Sequence, residues 1–213
     1  MIDKKWQIMT LLLAVVVVAL SFNSLFQKPE VNIEEQLSSE EIVLENIMTR
    51  SSVRQYTGER VSEQMVETLL KAGMAAPTAG NRQPWRFYVV RDTNIIKQFT
   101  NVSKYTAPMN VNAQLAIVVC GVPAESFPDA SRYWVQDASA ATQNILLAAH
   151  AAGLGAVWCG VYPKEERVNL LREMISAPAD YTPLNIIMVG HVDKNIAPVI
   201  KDKWKPERVF YVN

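Results

Sequence analysis

From residue 40 onward the apolar positions fall into blocks that switch between helical and strand periods. Ile42, Val43, Leu44, Ile47 and Met48 share one side of a helix that begins near Glu40 and runs into Thr49. Ser62 is placed to cap a second helix, which carries Met65, Val66, Leu69, Leu70, Gly73 and Met74 inward and stops at Pro77. Residues 85–90 alternate and end in Arg91-Asp92, the pattern of a strand; residues 93–102 read as a short helix. The unbroken apolar run 115–122 has strand length and predicts a central strand covered on both faces. Residues 131–153 predict the longest helix, with Trp134, Ala138, Ala141, Ile145, Ala149 and Ala152 on one face and Gly153 as its stop. Its many alanines allow another helix to come close, in the core or across a subunit interface. A strand over 154–162 follows with glycines inside it, which mark close approach to the backbone. Pro163 opens a helix with Val168, Leu171, Met174 and Ile175 inward, then 184–192 reads as a buried strand and 209–212 as a short terminal one.

Ahead of this region lies a different pattern. Lys4 and Lys5 precede residues 8–22, which are apolar apart from Thr10 and Ser21. A charged stretch followed by an apolar one is the form of a signal peptide, with Ala19-Leu20-Ser21 as a possible cleavage site. The run is short of the roughly 20 residues of a spanning helix, but Trp6 and Phe26 extend it toward the interfaces, so an uncleaved anchor stands beside the signal peptide. The expected organisation is residues 1–26 as signal or anchor, 27–39 as a polar tether, and 40–213 as one globular domain.

Composition narrows the chemistry. The chain has 213 residues, with 21 Lys and Arg against 21 Asp and Glu, so no general electrostatic attraction to nucleic acid exists. Cys120 and Cys159 stand far apart without a CxxC, which gives no zinc pattern and leaves at most one bridge. His150 and His191 are the sole histidines, too few for a metal site or a histidine-based triad, and are expected to be structural. Neither GxSxG nor a GxGxxG opening a helix is present, which argues against a hydrolase and a dinucleotide-binding domain.

Two stretches offer binding chemistry. In Ala75-Ala76-Pro77-Thr78-Ala79-Gly80-Asn81-Arg82-Gln83-Pro84-Trp85-Arg86-Phe87, prolines fix both ends of a polar loop. Its small residues let a ligand approach, and Asn81 and Gln83 bring donors and acceptors; an ordinary helix-to-strand connection is the competing reading. In Arg50-Ser51-Ser52-Val53-Arg54, two guanidinium forks flank two hydroxyls at a helix end, a set that matches phosphate oxygens; a solvated helix terminus is the alternative.

These two stretches, with Asp137-Ala138-Ser139-Ala140-Ala141-Thr142-Gln143-Asn144 and Gly153-Leu154-Gly155-Ala156-Val157-Trp158, occur in the order and spacing of the nitroreductase family of flavin enzymes. The resemblance runs from Glu40 to the C-terminus. It implies an α+β fold, a central mostly antiparallel sheet flanked by helices, acting as a homodimer with FMN as cofactor and no metal. It implies that Arg50, Ser51, Ser52 and Arg54 hold the FMN phosphate and ribityl chain. Pro77, Thr78, Ala79 and Asn81 match the loop that reaches the flavin, often from the partner subunit. Cys159, Gly160 and Val161 match the stretch whose backbone lies against the ring system. Lys203 matches a basic residue for the phosphate, with Lys205 as a second candidate; a solvated basic tail is the alternative for both. Cys159 is either reactive beside the ring or a small buried residue.

The implied activity is reduction of a small nitroaromatic or quinone acceptor by hydride transfer through the flavin, in ping-pong order. Reductive dehalogenation, small-molecule oxidation and a non-catalytic, membrane-docked flavin-binding role are the other readings. Phe210 stands where histidine is common in the family, and no sizeable insertion caps the flavin, so the acceptor is open. By the positive-inside tendency the domain is expected on the far side of the membrane, with the cytoplasmic face as alternative. The donor is then NAD(P)H or a membrane or periplasmic carrier.

Overall fold

The computed structural model describes residues 37–109, 112–128, 132–193 and 202–212. The chain divides into two compact units, residues 1–38 and 39–213, and the second carries every element described below. The apolar N-terminal stretch, and with it the signal or anchor expectation, lies outside the described residues. Among the described residues no helix is long and apolar enough to cross a membrane.

Among the described residues five α-helices and four strands form in the order α1 (Ser39–Thr49), α2 (Glu63–Met74), β1 (Trp85–Val90), α3 (Thr93–Val102), β2 (Leu115–Gly121), α4 (Tyr133–Ala151), β3 (Leu154–Gly160), α5 (Glu165–Met174) and β4 (Thr182–His191). The sheet order is β1-β2-β4-β3, with every neighbouring pair antiparallel. β2 is buried at all its positions and β4 at all but its ends, as the unbroken apolar runs require. Leu115, Ile117 and Val119 of β2 face one way, into a core with α2 and α4. Ala116, Val118 and Cys120 face the other way, onto α3 and α5 through Ile96, Phe99, Val168 and Leu171. The result is a three-layer α+β domain with a helix pair on each face.

Local chemistry explains the helix starts. The Ser62 hydroxyl accepts the Met65 N–H at 3.2 Å, and Asp92 caps α3 by accepting the Asn94 N–H at 2.8 Å. Gly73 lets α2 lie against α4, since a Cβ there would stand 2.9 Å from Ile145. Gly121 does the same for the Trp134 ring, which would be 2.0 Å away.

Three expectations change. Residues 209–212 form no strand: they pair with neither β1 nor β3, and Phe210, Tyr211 and Val212 are 85, 84 and 96% exposed. A run of β-branched and aromatic residues makes a strand only where a sheet edge accepts it, and here the tail runs free of one. The alanine face of α4 packs in the core, against the sheet and α2, the first of its two readings, but Ala152 falls outside the helix and is exposed. α1 has the expected amphipathic pattern but buries none of its residues. Cys120 and Cys159 are free thiols on β2 and β3, with β4 between them.

Candidate functional site

Residues 50–54 leave α1 and lie along the outer edge of β3. The Val53 N–H donates to Ala156 O at 3.1 Å, which adds one rung beyond the edge strand. Gly155 makes room for it: a Cβ there would stand 2.7 Å from Val53 Cγ1 and 2.4 Å from Val192 Cγ1. Tyr56 pins the far end of the segment. Its ring rests on Gly190, and its hydroxyl shares its proton between Val53 O at 2.9 Å and Met188 O at 3.1 Å. Burial pushes the Tyr56 pKa far up, so the phenol remains a donor.

The near end of the segment is held by α4. Thr49 Oγ1 donates to Glu45 O at 2.7 Å and lies 2.8 Å from His150 Nε2, while Asn46 Nδ2 donates to Leu147 O at 3.2 Å. Because the Thr49 proton is committed to Glu45, His150 Nε2–H is the donor of that pair. Between these two anchors Arg50 and Ser51 are half-buried, and Ser52 and Arg54 are exposed.

Cys159, Gly160 and Val161 close β3 beside the same segment. Val161 N–H donates to Leu184 O, so the odd-numbered residues of β3 bond to β4. Alternation then turns the N–H and C=O of Trp158 and Gly160 outward, off the free edge, as the Val53 rung at Ala156 already shows. Gly160 is exposed, and no heavy atom lies within 4 Å of the place a Cβ would take. Cys159 faces the core; burial pushes its thiol up to about 11, against the opposing pull of Arg54. That makes it the small buried residue rather than a nucleophile.

The loop at residues 77–81 lies at the other edge of the sheet, where it leads into β1. Gly80, Asn81 and Gln83 all have positive φ, at 58, 54 and 53°. For the two non-glycine residues this costs about 1–2 kcal/mol each. Thr78 Oγ1 accepts the Gln83 N–H at 3.1 Å, Gln83 Nε2 donates to Asn81 Oδ1 at 3.2 Å, and Asp137 of α4 accepts the Ala79 N–H at 3.0 Å. Pro77 and Asn81 are exposed, and Thr78 and Ala79 half-buried.

Residues 50–54 and 159–161 are therefore brought together on the β3 edge. The 77–81 loop is not joined to them, because three strand spacings, about 14 Å, separate β1 from β3. Lys203 and Lys205 are exposed, and among the described residues no hydrogen bond or ion pair ties them to either group. Four residues that hold the site were absent from the sequence reading of it: Tyr56, Gly190, Asp137 as a loop anchor, and His150 as a partner of Thr49. Tyr56 and Asp137 reach partners 132 and 58 positions away. Asp137 did lie within a motif, and that was the available signal.

Two guanidinium groups and two hydroxyls beside an open strand edge suit a planar ligand that carries a phosphate. FMN is chemically compatible with this set: Arg50, Ser51, Ser52 and Arg54 would suit its phosphate, and the unfilled position at Gly160 leaves room against the backbone. Asn185, paired with Gly160 across β3 and β4, donates from Nδ2 to Thr142 Oγ1 at 2.9 Å, and its buried Oδ1 has no partner among the described residues.

Comparison with known proteins places the fold. The family model described as "Nitroreductase family" matches residues 47–119 and 103–191. A protein of Archaeoglobus fulgidus, named for NADH dehydrogenase/NAD(P)H nitroreductase activity, is 42% identical over 171 residues, 78% of this chain and 95% of its own. A crystal structure of a similarly named Parabacteroides distasonis protein superimposes with a TM-score of 0.74 at 37% identity, covering 80% of this chain and 98% of that one. A Desulfovibrio desulfuricans nitroreductase structure in complex with FMN gives 0.67 at 31% identity, over 80% and 96%. With these matches spanning most of the 39–213 unit, the chain belongs to the nitroreductase family.

Proposed function

We propose that the protein is an FMN-dependent oxidoreductase, working as a homodimer, that takes a hydride from NAD(P)H and delivers two electrons to a small acceptor of the nitroaromatic or quinone class in ping-pong order. The observation that carries this reading is the open Gly160 position on the β3 edge beside the 50–54 segment. The names of the relatives support the donor, and the FMN complex of a structural neighbour supports the cofactor.

Bound there, the flavin supplies the redox chemistry that no side chain of this site provides. Arg50 and Arg54 hold the phosphate through charge-assisted bonds, and Ser51 and Ser52 add hydroxyl contacts. The outward backbone groups of Trp158 and Gly160 orient the ring, and Cys159 stays protonated inside the core. The 77–81 loop, on the far edge of its own chain, reaches the site of a second copy. The exposed apolar stripe of α1, with Ile42, Val43, Leu44, Ile47 and Met48 each 47–71% exposed, supports a dimer that covers it.

We also propose that the domain is exported or membrane-anchored through its N-terminal stretch. For an exported domain the alternative donor is a membrane or periplasmic carrier. Protease accessibility of a C-terminal tag in spheroplasts decides this, and protection until the membrane is broken ends the exported reading.

The full chain should purify yellow. Mass spectrometry of the released cofactor should find FMN, anaerobic NADH or NADPH should bleach it, and a nitroaromatic or quinone should restore the colour. Release of FAD, or of no flavin, sinks the proposal.

A further inference from the structure

Asp137 is the fifth residue of α4 and 5% exposed, a costly place for a carboxylate. It lies past the first turn, where a helix N-terminus rewards negative charge, so capping does not explain it. One oxygen accepts the Ala79 N–H at 3.0 Å, and the other is buried with no hydrogen-bond partner among the described residues. Within the loop, Asn81 N–H donates to Thr78 O, Arg82 N–H to Ala79 O, Gln83 N–H to Thr78 Oγ1 and Gln83 Nε2 to Asn81 Oδ1, and at its exit the Trp85 N–H of β1 donates to Gln83 O at 2.8 Å. The internal bonds keep the loop's shape, and the β1 bond holds its last residue. The Asp137 bond ties its first half to α4, at the residue before Gly80 and Asn81, whose φ is positive.

We propose that Asp137 is a positioning residue: it holds the 77–83 loop on α4 in the left-handed conformation from which that loop meets its ligand. The inference rests on the proposed flavin site for the identity of the ligand, but not for the anchoring itself. Asp137 touches no reacting atom. It acts through the Ala79 amide, which fixes Thr78 and Asn81 relative to the helix. A neutral acceptor at the same place should serve, because the geometry asks for an oxygen and not for a charge.

Amide hydrogen exchange on the full-length protein without added flavin tests the anchoring, and FMN titration tests its consequence. In Asp137→Ala the protection of the Ala79, Arg82 and Gln83 amides should fall roughly tenfold or more, the loss of one charge-assisted bond, while Ile145 and Leu146 of α4 keep theirs. Asp137→Asn should restore loop protection to near the wild-type level, and FMN affinity should follow the same order across the three proteins. Unchanged Ala79 protection in Asp137→Ala overturns the proposal. So does a uniform loss along α4, which marks a purely structural role, or an Asn variant as impaired as the Ala variant. If Asp137→Ala does not fold, Asp137→Ser, whose hydroxyl is too short to span the contact, is read by the same criteria. A wild-type chain that binds no FMN defeats the flavin reading alone, and the exchange data still decide the anchor.

Discussion

A Cβ on Gly155 would lie 2.7 Å from Cγ1 of Val53, so the 50–54 segment rests on β3 because that strand carries no side chain there. Gly155→Ala forces Val53 and Val192 outward and is expected to cost about 1–3 kcal/mol in denaturant unfolding, as overpacking does. It should weaken FMN binding as well, since Arg54 moves with Val53.

Gly160→Ala is the control with the opposite signature. Nothing lies within 4 Å of the added methyl, so stability should stay within about 0.5 kcal/mol of wild type. FMN affinity should drop, because the methyl occupies the space assigned to the ring. Equal flavin affinity in wild type and Gly160→Ala would remove the ring from this edge.

Arg54→Ala should weaken FMN binding by roughly 1.5–3 kcal/mol, the range for a hydrogen bond to a charged group. Lys205→Ala should matter less, since Lys205 is exposed and not joined to the 50–54 segment. Fluorescence titration of both variants checks the order, and a larger loss at Lys205 would move the phosphate to the C-terminal tail.

Burial pushes the Cys120 thiol up to about 12 and the Cys159 thiol up to about 11. Neither should react appreciably with an aromatic disulfide reagent near neutral pH while the chain is folded. Both should react promptly in denaturant. Fast modification of Cys159 in the native protein would revive it as a reactive group beside the flavin.

Burial, and then the charge of Arg50, hold His150 below its ordinary pKa of 6.5. The folded chain therefore favours neutral His150 more than the unfolded chain does. The stability this contributes is full above 6.5 and is lost as pH falls through the lower folded value. Unfolding of wild type and His150→Gln, compared at about pH 8 and about pH 5, should show the larger acid-induced loss in wild type. A bound phosphate beside Arg50 offsets that charge, so FMN should move the His150 titration upward in NMR.

Much of the fold was readable because burial is written in period. The bounds of β1 at Trp85 and Val90, the Ser62 cap and the two-sided burial of β2 all follow from local pattern. The tail at 209–212 misled because β-branched and aromatic residues favour a strand without supplying an edge to receive it. The alanine face of α4 left its partner open: small residues permit a close neighbour without saying which, and Gly73 of α2 took the place. Arg50 was singled out from residue type and Gly160 through the resemblance, whereas Tyr56 and Asp137 act on partners 132 and 58 positions away; the motif around Asp137 marks the residue but not what it holds.

β3 ends the sheet with one bonded neighbour beyond it among the described residues, the Val53 amide at Ala156. The outward amides and carbonyls at Trp158 and Gly160 are those an incoming foreign strand would use to lengthen the sheet and seed a fibril. The flavin proposed to lie against them would block that growth as well as serve the reaction. The cofactor-free chain should then be the more aggregation-prone species, and riboflavin supply during expression should govern soluble yield even for variants with no turnover.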